Sequence, residues 1–138
     1  REGRFALQMK DLEFSPNCLP PNPAEDLKPG DWLRVSVSGF VATQDKIWDF
    51  QKCAKLVIDL HDPSDKYRKW CAVPVSAFIG NRDWSIWFAG QPERWGEASM
   101  FIQLPAEYTK TDALKAYVWN PDRQSILIDD LCVELWRK

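Results

Sequence analysis

Two adjacent carboxylates, Asp129 and Asp130, interrupt an apolar run near the end of the chain. Successive side chains of a strand point to opposite faces of a sheet, so this pair predicts one carboxylate on each face. A carboxylate that turns towards a core needs a partner, because an unpaired buried charge is costly. We therefore expect at least one of the two to pair with an arginine or lysine, or to cap the end of a sheet.

Tryptophan is unusually frequent, with eight residues in a chain of 138. An indole offers a flat face on which the C–H face of a sugar ring can stack, while nearby polar groups bind the hydroxyls. Trp95 lies in the polar stretch 92–97, which predicts an exposed ring in a loop. Trp48 lies in a comparable stretch. The candidates for such a platform are Trp48, Trp70, Trp84, Trp87, Trp95 and Trp119.

The alternative for each tryptophan is a place in the core or at the ends of the fold. Trp84 and Trp87 are three residues apart, so in a regular strand at most one of them joins a single-face platform. We assign Trp32, Trp119 and Trp136 to structural positions. The predicted ligand-binding residues are Trp95, Trp48, Trp84, Trp87, Glu93 and Arg94.

Catalytic chemistry is poorly represented. The presence of a single histidine, His61, disfavours a Ser-His-Asp triad or a histidine metal site. His61 lies in a turn-like Pro-Asp-rich stretch and is expected to be exposed. Glu93 and Glu97 flank Trp95 and could in principle cleave glycosides, but their spacing in a loop does not set a carboxyl separation. No glycine-rich phosphate loop is present. We predict no catalytic residue and no enzymatic activity.

The four cysteines are compatible with two interpretations, disulfide bonds or unpaired residues. None of the pairs among Cys18, Cys53, Cys71 and Cys132 has C-x-x-C spacing, so a zinc knuckle is not indicated. They are compatible with disulfides, whose pairing the spacing does not determine. Cys132, inside an apolar run, is equally compatible with a small buried residue.

The elements that must position these residues are short strands. Apolar and polar residues alternate over about eight segments separated by turn residues, without a convincing helical period, which favours an antiparallel sandwich. The whole chain, 1–138, is predicted to form one all-β jelly-roll domain, and we expect it to be a fragment of a longer protein. The predicted strands are 4–14, 31–43, 56–60, 67–75, 83–89, 98–104, 114–119 and 126–136.

Composition narrows the function classes. The formal net charge is −2, and no basic stripe indicates a nucleic-acid partner. No apolar run approaches the length needed to span a bilayer, so no membrane-spanning segment is expected in this fragment.

Two stretches resemble galactose-binding-like jelly rolls, a superfamily that includes many carbohydrate-binding modules. The first, 27–37, reads Leu-Lys-Pro-Gly-Asp-Trp-Leu-Arg-Val-Ser-Val. The second, 114–120 followed by 126–135, looks like the closing hairpin of such modules with its Ile-Asp-Asp-Leu strand. A similar hairpin closes extracytoplasmic domains of bacterial membrane proteins.

The resemblance implies a structural calcium ion. In such modules the aspartate that matches Asp129 or Asp130 often ligates calcium together with an acidic residue of the first strand, here Glu13. Calcium takes six to eight oxygen ligands, so loop carbonyls would complete the shell. No other cofactor is expected.

Two functions follow from these patterns. The first is a non-catalytic, extracytoplasmic binding module (periplasmic, cell-surface or secreted) that takes a polysaccharide or oligosaccharide on exposed aromatic rings. The second is a structural or protein-interaction domain appended to a larger membrane or secreted protein, with its tryptophans mostly buried. An exposed aromatic row on one sheet favours the first, and buried tryptophans beside a flat apolar patch favour the second.

Overall fold

Two antiparallel sheets pack face to face and enclose one hydrophobic core, which confirms the predicted all-β sandwich. The computed structural model describes residues 6–18, 27–41, 51–75 and 95–136. Seven strands lie in these ranges, and the predicted strand 83–89 falls outside them. The strands are β1 (Leu7–Gln8), β2 (Trp32–Val41), β3 (Lys55–His61), β4 (Tyr67–Pro74), β5 (Trp95–Gln103), β6 (Ala113–Trp119) and β7 (Ile126–Trp136).

One sheet has four strands in the order β1-β7-β2-β5, and the other has three in the order β4-β3-β6. Strand β2 is the long central strand of the first sheet, hydrogen-bonded to β5 on one side and to β7 on the other. Strand β3 is the central strand of the second sheet. Strand β3 is buried from Lys55 to Leu60, as expected for a central strand that is covered on both faces.

The core forms between the two sheets, from the side chains that point inward from each of them. Leu33, Val35 and Val37 of β2 are fully buried and pack with the inward residues of β3, Leu56, Ile58 and Leu60. Alternation with period two places these residues on one face of each strand.

Polar turns end the strands. Gly30 adopts φ +85 in the turn before β2, where Asp31 donates its N–H to the Lys28 carbonyl. The predicted turn at Asn120 is confirmed. The Asn120 side chain is buried, and its amide donates to the carbonyls of Met9 and Gln124. This turn therefore fastens the β6–β7 connection to the first segment of the chain.

A bulge in β7 overturns the expectation that Asp129 and Asp130 point to opposite faces. Ser36 of β2 is opposite Cys132 and Ser38 is opposite Asp129, so β7 carries one more residue than β2 at this point. Asp130 has φ +53, a left-handed conformation that aspartate tolerates better than most residues. Asp129 Oδ1 accepts the N–H of Asp130 at 2.8 Å, which stabilises the bulge locally.

The first predicted strand, 4–14, is described from residue 6 onwards and is mostly irregular there. Among residues 6–14, the ladder with β7 contains Leu7 and Gln8 alone. The following residues instead approach β6, where Phe14 and Cys18 form isolated bridges with Trp119 and Ala116. The early segment thus crosses from the edge of one sheet to the edge of the other and closes that side of the sandwich.

Replacement of Leu33 by alanine is expected to lower the free energy of unfolding by about 2–5 kcal/mol, because its fully buried side chain would leave a cavity between the sheets. The control is Leu12→Ala. That leucine is 39% exposed, so its loss should change stability by no more than about 0.5 kcal/mol. Urea unfolding followed by tryptophan fluorescence measures both variants. Equal destabilisation by the two would contradict the assigned core.

Candidate functional site

The register of the four-stranded sheet determines which side chains point away from the core. Residues directly opposite each other in a ladder share a face, so the outward phase of β2 is continued on β5 and β7. We call this surface the outer face. Its side chains are Trp32, Arg34, Ser36, Ser38 and Phe40 of β2, Trp95, Glu97, Ser99, Phe101 and Gln103 of β5, and Leu127, Asp129, Cys132, Glu134 and Trp136 of β7.

Aromatic rings occupy both ends of the outer face. At one end Phe40 and Trp95 are register partners, and their ring centroids lie 5.5 Å apart. At the other end Phe101 and Trp136 meet edge to face with centroids 5.3 Å apart, and Trp32 is opposite Trp136. Such edge-to-face contacts are favourable for aromatic pairs. The exposed fractions are 45% for Trp32, 38% for Trp95, 50% for Phe101 and 52% for Trp136.

A charged row lies between the two aromatic ends. The Arg34 guanidinium donates to Glu97 through Nη2 and to Glu134 Oε2 through Nη1 at 2.9 Å. Nη1 also donates to Ser36 Oγ at 3.3 Å. Glu97 is opposite Ser38 rather than Arg34, so the arginine side chain extends along β2 over Ser36 to reach it. This path accounts for the burial of Ser36 on an outward-facing position.

Trp95 is exposed as predicted, but it begins strand β5 rather than lying in a loop. Trp32 and Trp136, which the sequence assigned to structural positions, are both about half exposed on the outer face. Trp70 is also exposed, but it lies on the other sheet. The predicted ligand-binding residues Trp48, Trp84, Trp87, Glu93 and Arg94 lie outside the described residues.

The sequence-based choice missed Phe101 and Glu134 on the outer face. The sequence could have identified these residues by the side of the strand on which they lie, but not by the composition of their surroundings. In β5, Phe101 alternates with buried Met100 and Ile102 and shares the phase of Glu97 and Gln103. An aromatic residue in the polar phase of a strand points to the solvent side, and this rule also identifies Trp32 and Trp136.

Asp129 and Asp130 line one cleft of about 380 Å³ together with Ser15, Asn17 and Cys18. Glu13 is not in the lining of this cleft. It accepts a hydrogen bond from the Trp119 indole at 3.3 Å. In the described ranges no group of three or more His, Cys, Asp or Glu side chains could hold a metal ion. The lining of this cleft therefore does not join Glu13 to Asp129 and Asp130, and structural calcium stays a prediction.

All four cysteines lie in described residues, and the structure joins none of them in a disulfide. Cys53 is buried, and the others are half-buried. Burial, with smaller contributions from Glu134 and Cys18, raises the pKa of the Cys132 thiol. A raised pKa keeps the nucleophilic thiolate scarce, so Cys132 is not an activated nucleophile.

The outward side of the three-stranded sheet carries a polar network beneath aromatic rings. Asp59 is buried and accepts a hydrogen bond from the Tyr117 hydroxyl. His61 lies between two carboxylates, with Nε2 3.3 Å from Asp59 Oδ1 and Nδ1 2.9 Å from Asp65 Oδ1. The contact with Asp59 is within ion-pair distance but lacks hydrogen-bond geometry. His61 is therefore half-buried in a network, not an exposed turn residue as predicted.

The same network holds Tyr117 in place. Burial first, and then the Asp59 carboxylate that accepts its hydroxyl, raise the pKa of Tyr117 to about 12. The neighbouring Trp119 stacks on Phe14 with centroids 6.5 Å apart, and the buried Lys55 ammonium lies 4.7 Å from the Trp119 ring centroid. These rings cover buried polar groups of β3 and so belong to the packing of the fold.

No family model matches this chain, and neither the curated proteins nor the solved structures include a significant match. Within the described ranges there is no helix that is long and apolar enough to cross a membrane.

Replacement of Tyr117 by phenylalanine is expected to make the alkaline loss of stability shallower. The folded-state pKa of about 12 exceeds the ordinary tyrosine pKa of 10.0. The native state therefore holds the phenolic proton more tightly, and this contribution to stability is complete below about pH 10 and lost as the pH rises towards about 12. Urea unfolding at a series of alkaline pH values measures the difference between the proteins. Parallel stability curves for wild type and variant would contradict the assignment.

Proposed function

We propose that this domain is a non-catalytic binding module, of the galactose-binding-like jelly-roll type and extracytoplasmic, that binds polysaccharide on its outer face. The observation that carries the proposal is the set of four exposed aromatic side chains, Trp32, Trp95, Phe101 and Trp136, which share one sheet face with polar side chains between them. The resemblance of segments 27–37 and 114–135 to carbohydrate-binding modules supports it.

Exposed rings of this kind match the chemistry of sugar chains. A pyranose ring has an apolar C–H face, which stacks on an aromatic ring, and hydroxyls at its rim, which need hydrogen-bond partners. The outer face supplies both, because Phe101 shares its strand face with Glu97 and Gln103. Neither an isolated apolar patch nor an isolated charged patch would offer the two together.

The size of the face favours a polymer over a single sugar. Phe40 and Trp32, which mark its two aromatic ends on β2, are eight residues apart. At a rise of roughly 3.3–3.4 Å per residue, the two ends are separated by about 27 Å along the strand. A monosaccharide would occupy one end only, whereas an extended chain can contact both.

The distribution of charge favours a polysaccharide over a protein partner. Protein interfaces are depleted of charge at their centre and polar at their rim. Here the order is reversed, since Arg34, Glu97 and Glu134 lie between the two aromatic ends. A protein that covered this face would have to desolvate the charged row, but a sugar chain can bind it through hydroxyls.

Substitution of Trp95 or Phe101 by alanine is expected to weaken polysaccharide binding at least about tenfold, or ~1.4 kcal/mol, because each change removes a stacking ring. Affinity electrophoresis in native gels that contain a panel of soluble polysaccharides measures this loss. Trp70→Ala is the matched control, since Trp70 is 44% exposed on the opposite sheet. Thermal unfolding should show that all three variants remain folded at the temperature of the assay.

Four outcomes would contradict the proposal. Unchanged binding by both outer-face variants, or an equal loss in Trp70→Ala, would remove the outer face as the site. Free migration of the wild-type domain in every gel would instead support the second function, a structural or protein-interaction domain. Release of new reducing ends during the assay would show a glycosidase.

A further inference from the structure

Arg34 joins two carboxylates across three strands at the middle of the outer face. It bonds to Glu97 on β5 and to Glu134 on β7, and the side-chain exposures are 22%, 48% and 49% for the arginine and the two glutamates. One guanidinium against two carboxylates leaves this row with an excess of one negative charge. The row is ordered by its ion pairs but remains open to a ligand.

Each of the two glutamates uses one carboxylate oxygen to bond Arg34, which leaves its second oxygen available to a ligand. Glu97 bonds to Arg34 through Oε1, and Glu134 does so through Oε2. Among the contacts made by the described residues, the second oxygen of each carboxylate has no protein hydrogen bond. An ionised carboxylate only accepts hydrogen bonds, so these two oxygens suit hydroxyl donors. Because Arg34 holds both carboxylates, little side-chain entropy is lost when a ligand binds them.

We propose that this Arg34–Glu97–Glu134 row restricts the ligand to neutral polysaccharides, an inference that rests on the polysaccharide binding proposed above. A neutral sugar that lies across the row donates hydroxyls to the two spare oxygens. A uronate or sulfated sugar in the same place brings another anion beside two carboxylates that share a single cation. Like charges at such short range disfavour binding, and the ionic strength of the solution screens that effect.

The test compares polymers that share a backbone and differ in charge. Hydroxyethylcellulose, xylan and dextran are each used beside their carboxymethylated forms in affinity electrophoresis of the wild-type domain. The neutral polymer that retards the protein most is expected to bind at least tenfold more tightly than its carboxymethylated partner at roughly 0.01 M salt. At roughly 1 M salt the difference should shrink, because screening then acts within a few ångströms.

The decisive variant replaces both acids, Glu97→Gln with Glu134→Gln. Glutamine keeps an acceptor oxygen and removes the charge, so binding of the neutral polymer should fall less than about threefold while the preference against the carboxymethylated form disappears. Glu107→Gln is the matched control, since Glu107 is exposed in the β5–β6 connection, away from the outer face. It should keep the wild-type preference.

The outcomes separate this inference from the proposed function. If the wild-type domain binds a carboxymethylated polymer as tightly as the neutral one, the inference is wrong and the polysaccharide-binding proposal stands. The same holds if the preference survives in the double variant or does not respond to salt. If none of the polymers retards the wild-type domain, both proposals are wrong.

Discussion

The pairing of β2 on both of its edges is the constraint on which the rest of the structure depends. Because side chains alternate along β2, its inward residues Leu33, Val35 and Val37 enter the core and its outward residues point away from it. The register with β5 and β7 continues this separation of inward and outward side chains across all three strands. A slip of one residue would exchange the two phases, so the burial of the core and the composition of the outer face are specified together.

The two outward faces of the sandwich both carry aromatic residues, but the residues serve different ends. On the three-stranded sheet, Tyr117 donates its hydroxyl to buried Asp59, and the Trp119 ring lies beside buried Lys55. Those rings contact buried polar groups of β3 and so belong to the packing of the fold. On the outer face, Phe101 and Trp136 contact each other and stay about half exposed. Exposed apolar area that the fold does not use is the better indication of a binding surface.

The sequence predicted those parts of the fold that local periodicity controls. The predicted strand 126–136 coincides with β7, where an apolar run follows a turn, and the predicted strand 31–43 contains β2, where apolar and polar residues alternate. The prediction was wrong where a residue breaks the period. The polar stretch around Trp95 looks like a loop, yet pairing with Phe40 and Gly39 makes it the start of β5. Asp130 looks like a regular strand residue, yet the bulge turns it out of the alternation.

The candidate site was harder to predict than the fold, because its key contacts join distant parts of the chain. Arg34 and Glu134 are a hundred residues apart and meet only through the β2–β7 register. No local pattern connects them, or connects Glu13 with Trp119 rather than with the aspartates of β7. Trp95 could be chosen from its polar neighbours alone. The other aromatic residues of the outer face can be recognised only when the register of β2, β5 and β7 is known.

The most direct measurement of the central claim is a two-dimensional ¹H–¹⁵N NMR spectrum of the eight tryptophan indole groups, recorded while a retarding polysaccharide is added. If the outer face binds the polymer, the indole signals of Trp32, Trp95 and Trp136 shift, and those of Trp70 and Trp119 stay in place. Shifts confined to Trp70 and Trp119, or to tryptophans outside the outer face, would contradict the account.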